Sequence, residues 1–312
     1  MIRKIYFVII AVLVFNKDYS QDPVFTNPLQ SLVYLNPSFA GSNGFIRNQF
    51  SYRNQWPNLS GTYVTYLNTF DAYIKPIKGG ISFSALLDDQ AHGTLVTDVL
   101  SLGYAQHISL LEGKLKIIPS LQGSFGVKKL DRSKLNFGDM IDARRGFVWN
   151  TQTILPSERR TYLDISSGLL INYNNFYFGS SVFHINQPDE GLMGVSKLPY
   201  RLSLYSSYNL KIKDKTLLHF FARYERQQKF DYLHLNVNAL LFKHLIIGGG
   251  YMSTSAIDLN VGYRNNFFVI SLEYDVTTSK LSGNTAGSWG LQASFNLRNK
   301  EKRKEITNFE RW

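Results

Sequence analysis

From residue 44 onward the chain alternates between apolar and polar residues with a period of two, segment after segment. Leu115, Ile117, Pro119, Leu121, Gly123, Phe125 and Val127 fall on one side of such a segment, and Lys116, Ser120, Gln122, Ser124 and Lys128 on the other. Leu233, Leu235, Val237, Ala239 and Leu241 stand against His234, Asn236 and Asn238, and Ile257, Leu259, Val261 and Tyr263 against Asp258, Asn260 and Arg264. The pattern runs to the end, through Phe268, Ile270, Leu272, Tyr274 and Val276, then Trp289, Leu291, Ala293, Phe295 and Leu297. Successive side chains of a strand point to opposite faces, so each segment is read as a strand with one apolar and one polar face. No helical period competes in these windows.

Between turn signals the segments read as strands near 44–56, 61–74, 78–88, 94–110, 113–127, 161–173, 175–186, 200–212, 215–226, 230–242, 244–253, 255–264, 266–276 and 287–298. The expected fold is therefore all-β: a transmembrane antiparallel β-barrel of outer-membrane type with about 14 strands. The connections give an independent test. Those after even-numbered strands are tight (Lys75 to Ile77, Leu111 and Glu112, Asn174, Lys213 and Asp214, Lys243, Asn265), whereas every long one follows an odd-numbered strand (Asp89 to Gly93, Lys128 to Arg160, Gln187 to Pro199, Thr277 to Ala286). Short periplasmic turns and longer extracellular loops sort in this way in such barrels, and an even strand count then leaves both termini periplasmic.

Composition supports the reading. Aromatics reach 14%, with 19 Tyr and 22 Phe, while charged residues are only 18%, below the usual quarter. After the first fifteen residues no stretch approaches the ~18 consecutive apolar residues of a spanning helix. The N-terminus has the layout of a secretory signal: Arg3 and Lys4, an apolar run from Ile5 to Phe15, then polar Asn16, Lys17 and Asp18. Cleavage after Ser20 would leave Gln21 first. The chain thus divides into a signal peptide (1–20), an extended, plug-like segment (21–43), the barrel (44–298) and a basic periplasmic tail (299–312). Asp22 to Asn43 carries Phe25, Leu29, Leu32, Val33, Tyr34 and Leu35, which require burial, so the segment is expected to fold into or against the lumen.

Chemistry is sparse. Zero cysteines exclude disulfides and thiolate metal sites, and six scattered His show no metal-ligand spacing. GxSxG, Walker A and dinucleotide fingerprints are absent. Gly248, Gly249 and Gly250 lie within a strand, where they are read as easing its curvature. Asp88, Asp89 and His92 share one hairpin and read as an ordinary polar loop, and His107, His184, His219 and His234 each stand alone on strands. No enzyme activity, cofactor, metal or small-molecule substrate is expected. The net charge of +11 is spread too thinly for a nucleic-acid surface; its densest run, Arg298, Lys300, Lys302, Arg303 and Lys304, suits a solvated tail meeting acidic partners or phosphate headgroups. The largest loop carries Arg132, Phe137, Arg144, Arg145, Phe147 and Trp149, the candidate partner-binding residues.

Short motifs recur in a definite order: Asp22 and Pro23; Asn36, Pro37 and Gly41; Arg53, Gln55 and Trp56; His184 with Gln187 and Pro188; Tyr274 and Asp275. In this order the chain resembles the PorP/SprF family of Bacteroidota type IX secretion and gliding proteins. Ser38 stands where that pattern has Ala. The resemblance implies an outer-membrane protein, embedded in its lipid, that helps type IX subunits export large adhesins or attach them to the cell surface. It carries no catalytic residues, and the matching positions read as structural. The competing reading is an outer-membrane porin for small solutes, since a wet lumen and a plugged one are both polar.

Overall fold

The computed structural model describes residues 21–27, 31–44, 46–142, 144–153, 157–213, 215–253, 256–278 and 282–297. The signal-peptide residues 1–20, Leu29 and the basic tail 299–312 lie outside the described residues.

Fourteen antiparallel strands close into one barrel. They are β1 (Ile46–Gln55), β2 (Tyr63–Ile74), β3 (Gly79–Gln90), β4 (Leu95–Gln106), β5 (Leu115–Leu130), β6 (Arg159–Tyr173), β7 (Phe176–Phe183), β8 (Arg201–Lys213), β9 (Thr216–Gln227), β10 (Phe230–Leu241), β11 (Leu245–Met252), β12 (Ala256–Arg264), β13 (Phe268–Thr277) and β14 (Ser288–Leu297). Each strand pairs with its successor, and β14 returns to β1 with Ile46 opposite Leu297 and Gln55 opposite Ser288. Closure leaves no edge strand, so every strand's backbone donors and acceptors can be met within the sheet, as a hydrocarbon environment demands.

The two faces invert the usual globular pattern. On β10, His234, Asn236 and Asn238 are buried while Leu233, Leu235 and Val237 between them are exposed. β1 buries Arg47, Gln49, Ser51 and Arg53 on its inner face. A polar interior inside an apolar wall is stable where the outer solvent is lipid, and this is an outer-membrane barrel. Among the described residues no helix is long and apolar enough to cross a membrane.

At one end of the barrel the connections are tight turns, at 75–78, 111–114, 174–175, 242–244 and 265–267, and β8 and β9 are joined there by an equally short connection. The long ones, at 131–158, 184–200 and 278–287, all lie at the other end. Several strand ends differ from their sequence reading, and residues read as the ends of the largest loop, Lys128–Leu130 and Arg159–Arg160, instead pair and lengthen β5 and β6. β4 breaks at His107 before a short continuation, Ile108–Leu110, because the His107 ring turns inward to the Ala40 carbonyl, Nε2 to O 2.9 Å. β7 stops at Phe183 because His184 adopts a left-handed φ of 58° and leaves the sheet. The triple glycine also has a more specific role than curvature. A Cβ on Gly248 would lie 1.9 Å from Asn238 Oδ1, so the missing side chain makes room for the buried ladder in which Asn260 donates to Asn238 and Asn236 to Asp258.

Candidate functional site

The segment before β1 lies among the inward-facing side chains. Its apolar residues Phe25, Leu32, Val33, Leu35, Phe39 and Ala40 are buried. A single helical turn, Leu32–Leu35, ends at Asn36, whose side-chain oxygen accepts the Ser38 N–H at 2.8 Å and starts a second turn, Pro37–Phe39. Pro37 suits that first position because its fixed φ needs no donor there. The two turns aim the Asn36 amide at the wall, where Nδ2 donates to the Leu169 carbonyl of β6 at 3.2 Å and the Ser180 carbonyl of β7 at 2.8 Å. Ser181 Oγ donates to the Leu35 carbonyl at 2.9 Å, Ser38 meets Ser120 at 2.8 Å, and Phe39 stacks on Tyr205.

Two wall glycines admit this close approach. A Cβ on Gly168 would stand 2.0 Å from Asn36 Oδ1, and one on Gly80 would stand 1.9 Å from the Ala40 carbonyl oxygen. Nearer the tight turns, Asp71 accepts the Gly41 N–H at 2.8 Å and pairs with Arg47 at 2.8 Å, and Arg47 also donates to the Phe39 carbonyl at 3.2 Å.

Toward the long-loop end the contacts are ionic. Asp22 sits between His184 Nε2 at 2.8 Å and Arg201 Nη1 at 3.2 Å, and the other His184 nitrogen meets Asp164 at 3.0 Å. The Arg201 guanidinium lies over the rings of Phe183 and Tyr34, and the Tyr34 hydroxyl donates to the Pro23 carbonyl at 2.8 Å. Thr26 donates to Asp275 at 3.1 Å, and Arg53 donates to Thr26 and pairs with Asp275 at 2.6 Å. Burial works against charge on His184, yet Asp22 and Asp164 outweigh it and carry its pKa up to about 9. Burial works against Asp22 as well, but the His184 and Arg201 charges hold its carboxyl well below the usual carboxylate range. Beside this cluster is a cavity of about 80 Å³, bounded by Asp22, Asp88, Tyr162, Asp164, Leu198 and Arg201.

Asp22, Asn36, Gly41, Arg53, His184 and Asp275, scattered along 254 positions of sequence, thus meet at one interface between the leading segment and the wall. Residues 17–295 match the family model for the type IX secretion system membrane protein PorP/SprF. The chain belongs to that family. As a PorP/SprF member it is an outer-membrane component of type IX secretion, associated with that machinery. Among solved structures, this PorP/SprF chain is similar to Omp33 of Acinetobacter baumannii, at 9% identity over 82% of this chain and 100% of that one, with a TM-score of 0.46. It is similar too to a Pseudomonas aeruginosa FadL homologue, at 9% identity over 86% and 94% with a TM-score of 0.49. A third is the CymD monoaromatic hydrocarbon channel, at 10% identity over 89% and 95% with a TM-score of 0.47. No curated protein matches the chain by sequence.

The other motif positions lie outside the ionic cluster. Pro37 is buried beside Asn36. Gln55 ends β1 and its carbonyl accepts from Thr62 at 3.3 Å, and Trp56 turns with a φ of 59° to meet the Tyr63 ring edge-on. Gln187 donates to the His184 carbonyl at 3.0 Å and the Pro188 carbonyl accepts from Leu198 at 2.8 Å, so both shape the loop that follows β7. Tyr274 packs on Trp289 with ring centroids 4.5 Å apart.

In the large loop of this PorP/SprF barrel, half-buried Arg132 donates to the Thr153 carbonyl at 2.6 Å. Phe137 is half-buried at the base of a turn. Ile141 and Phe147 pair in a small ladder around a turn in which the Arg144 and Arg145 N–H groups both donate to Asp142 at 2.9 Å. That turn presents the Arg144 and Arg145 side chains, Phe147 and Trp149 to solvent. Among the described residues no cluster of three or more His, Asp or Glu could hold a metal, and Asp88 is occupied by Thr65 at 2.7 Å and Gln90 at 2.8 Å.

Sequence reasoning missed Arg47, Asp71, Asp164 and Arg201, and read His184 and His234 as solitary, whereas His234 meets Asp258 at 2.9 Å. The available signal was parity. Each of these residues occupies the inward face of its strand or follows directly from it, where a charge has to find an opposite charge or stay in water.

Proposed function

We propose that this barrel is a docking component rather than a conduit: its long-loop end receives a large secreted adhesin, its tight-turn end faces the periplasm and the type IX subunits, and residues 21–43 plug the lumen. The supporting observation is the leading segment itself. Phe25, Leu32, Leu35 and Phe39 are buried among wall side chains from β1, β5, β6, β7 and β8, and a lumen filled in this way favours binding at the rim over solute passage. Arg144, Arg145, Phe147 and Trp149 then supply the surface. Exposed aromatics beside arginines are the residues that dominate binding energy at protein interfaces. The protein has no catalytic role in this reading, and a signal peptide at 1–20 and a basic periplasmic tail at 299–312 fit its export and its periplasmic contacts.

The test is purification of the tagged protein from detergent-solubilised outer membranes, with mass spectrometry of what accompanies it. A large surface adhesin or type IX subunits should co-purify, and Phe147→Ser with Trp149→Ser should lower adhesin recovery at least about tenfold, the loss of one or two hot-spot side chains, while the barrel stays folded. Recovery of the barrel alone, together with ion conduction in planar bilayers, would overturn docking in favour of a channel.

A further inference from the structure

The net charge of +11 is unevenly placed. At the long-loop end both signs are present and paired, as in Lys129 with Asp98 at 2.7 Å and Arg160 with Asp189 at 2.5 Å. At the tight-turn end Lys75, Lys78, Lys114, Lys211, Lys215 and Lys243 are exposed, and the sequence of those turns carries two carboxylates, Glu112 and Asp214. Four of these lysines have a large apolar neighbour that is also exposed. Ile77 precedes Lys78, Leu111 lies three residues before Lys114, Ile212 follows Lys211 and Phe242 precedes Lys243, with exposures from 44% for Ile77 to 70% for Phe242.

This pairing recurs at four of the six tight turns, those after β2, β4, β8 and β10, and therefore on opposite sides of the barrel rim. A globular partner covers one sector of a ring. A lipid leaflet touches all of it, with its acyl boundary against the apolar side chains and its headgroups against the ammonium groups, which reach outward on long apolar stems. We infer that the tight-turn rim is a binding collar for anionic phospholipid headgroups, enriching acidic lipid around the barrel and fixing its depth in that leaflet.

The experiment places the full-length protein in nanodiscs of mixed phosphatidylglycerol and phosphatidylcholine and counts retained lipids by native mass spectrometry. The wild type should retain phosphatidylglycerol over phosphatidylcholine. Replacing Lys75, Lys78, Lys114, Lys215 and Lys243 together by Gln should reduce that preference about tenfold or more, given the attraction each lysine adds at an anionic surface. The same five positions as Arg should retain it, and so should a long-loop control with Lys129, Lys134, Lys197 and Lys229 as Gln. An undiminished preference in the five-Gln variant overturns the collar. So does a wild type that ignores lipid charge, and above all one that instead captures an acidic soluble protein through the same lysines. If the five-Gln variant does not fold, a salt series on the wild type decides: preference that survives high salt excludes the collar.

Discussion

Asp22 and Asn36 belong to the same buried segment, yet the first is held by charge and the second by close approach. Asp22 lies between His184 and Arg201, and a few residues on Thr26 joins Arg53 and Asp275. Asn36 and Ala40 are fixed by carbonyl contacts and by Gly168 and Gly80, which leave no room for a side chain. Ionic contacts respond to pH and to neutralising substitutions, while steric ones respond to volume alone. The long-loop half of the segment, whose ion pairs include a histidine, is therefore the half that alkaline pH can loosen, and the tight-turn half, which adds the buried Arg47–Asp71 pair to its steric contacts, is its fixed root.

The comparison breaks most readily at the root. Gly80→Val would drive a side chain into the Ala40 carbonyl, and because backbone rather than a flexible side chain must give way, we expect a loss of more than about 4 kcal/mol. Urea unfolding followed by heat-modifiable gel mobility measures it; a folded barrel with the segment still protected from protease would mean that the root is not steric.

The next effect is at Arg53. Arg53→Ala strands the buried Asp275 carboxylate and should cost about 3–5 kcal/mol. The double variant Arg53→Met with Asp275→Leu should recover most of that, since both charges are then removed together. A double variant no more stable than the single one would show that shape, not charge, holds this half too.

The smallest effect sharpens the comparison through pH. His184 is raised in the fold to about 9 from an ordinary 6.5, so its contribution is fully present below pH 6.5 and is lost as pH rises through about 9. Asp22 is held low, so its contribution is present above its ordinary 3.8 and fades as pH falls far below that. Protease access to the segment around Asp22 should increase across the alkaline window, on the order of 2–3 kcal/mol in opening free energy, and access around Asn36 should not. In His184→Gln the alkaline step should vanish; a step of unchanged size in that variant would assign it elsewhere.

How much of this was readable beforehand differs between fold and site. Strand existence, the inverted faces and the sorting of loop lengths follow from local alternation, and so from Leu233, His234, Leu235 and Asn236 as they stand in the chain. Strand ends were less legible. β4 broke at His107 and β7 at His184 because each histidine has a partner on a distant segment, Ala40 for one and Asp22 for the other.

The order of the short motifs pointed to the family, and their residue types suggested turns. By itself, then, the sequence determined an apolar-outside barrel, its strand parity and a leading segment too apolar to stay in water, because those properties depend on near neighbours along the chain. Only the tertiary structure decided that Asp22 meets His184 and Arg201, that Asn36 fits against Gly168, and that the tight-turn lysines share one rim of the barrel. Those contacts join residues far apart in sequence, and closing the barrel is what brings them within a few ångströms of each other.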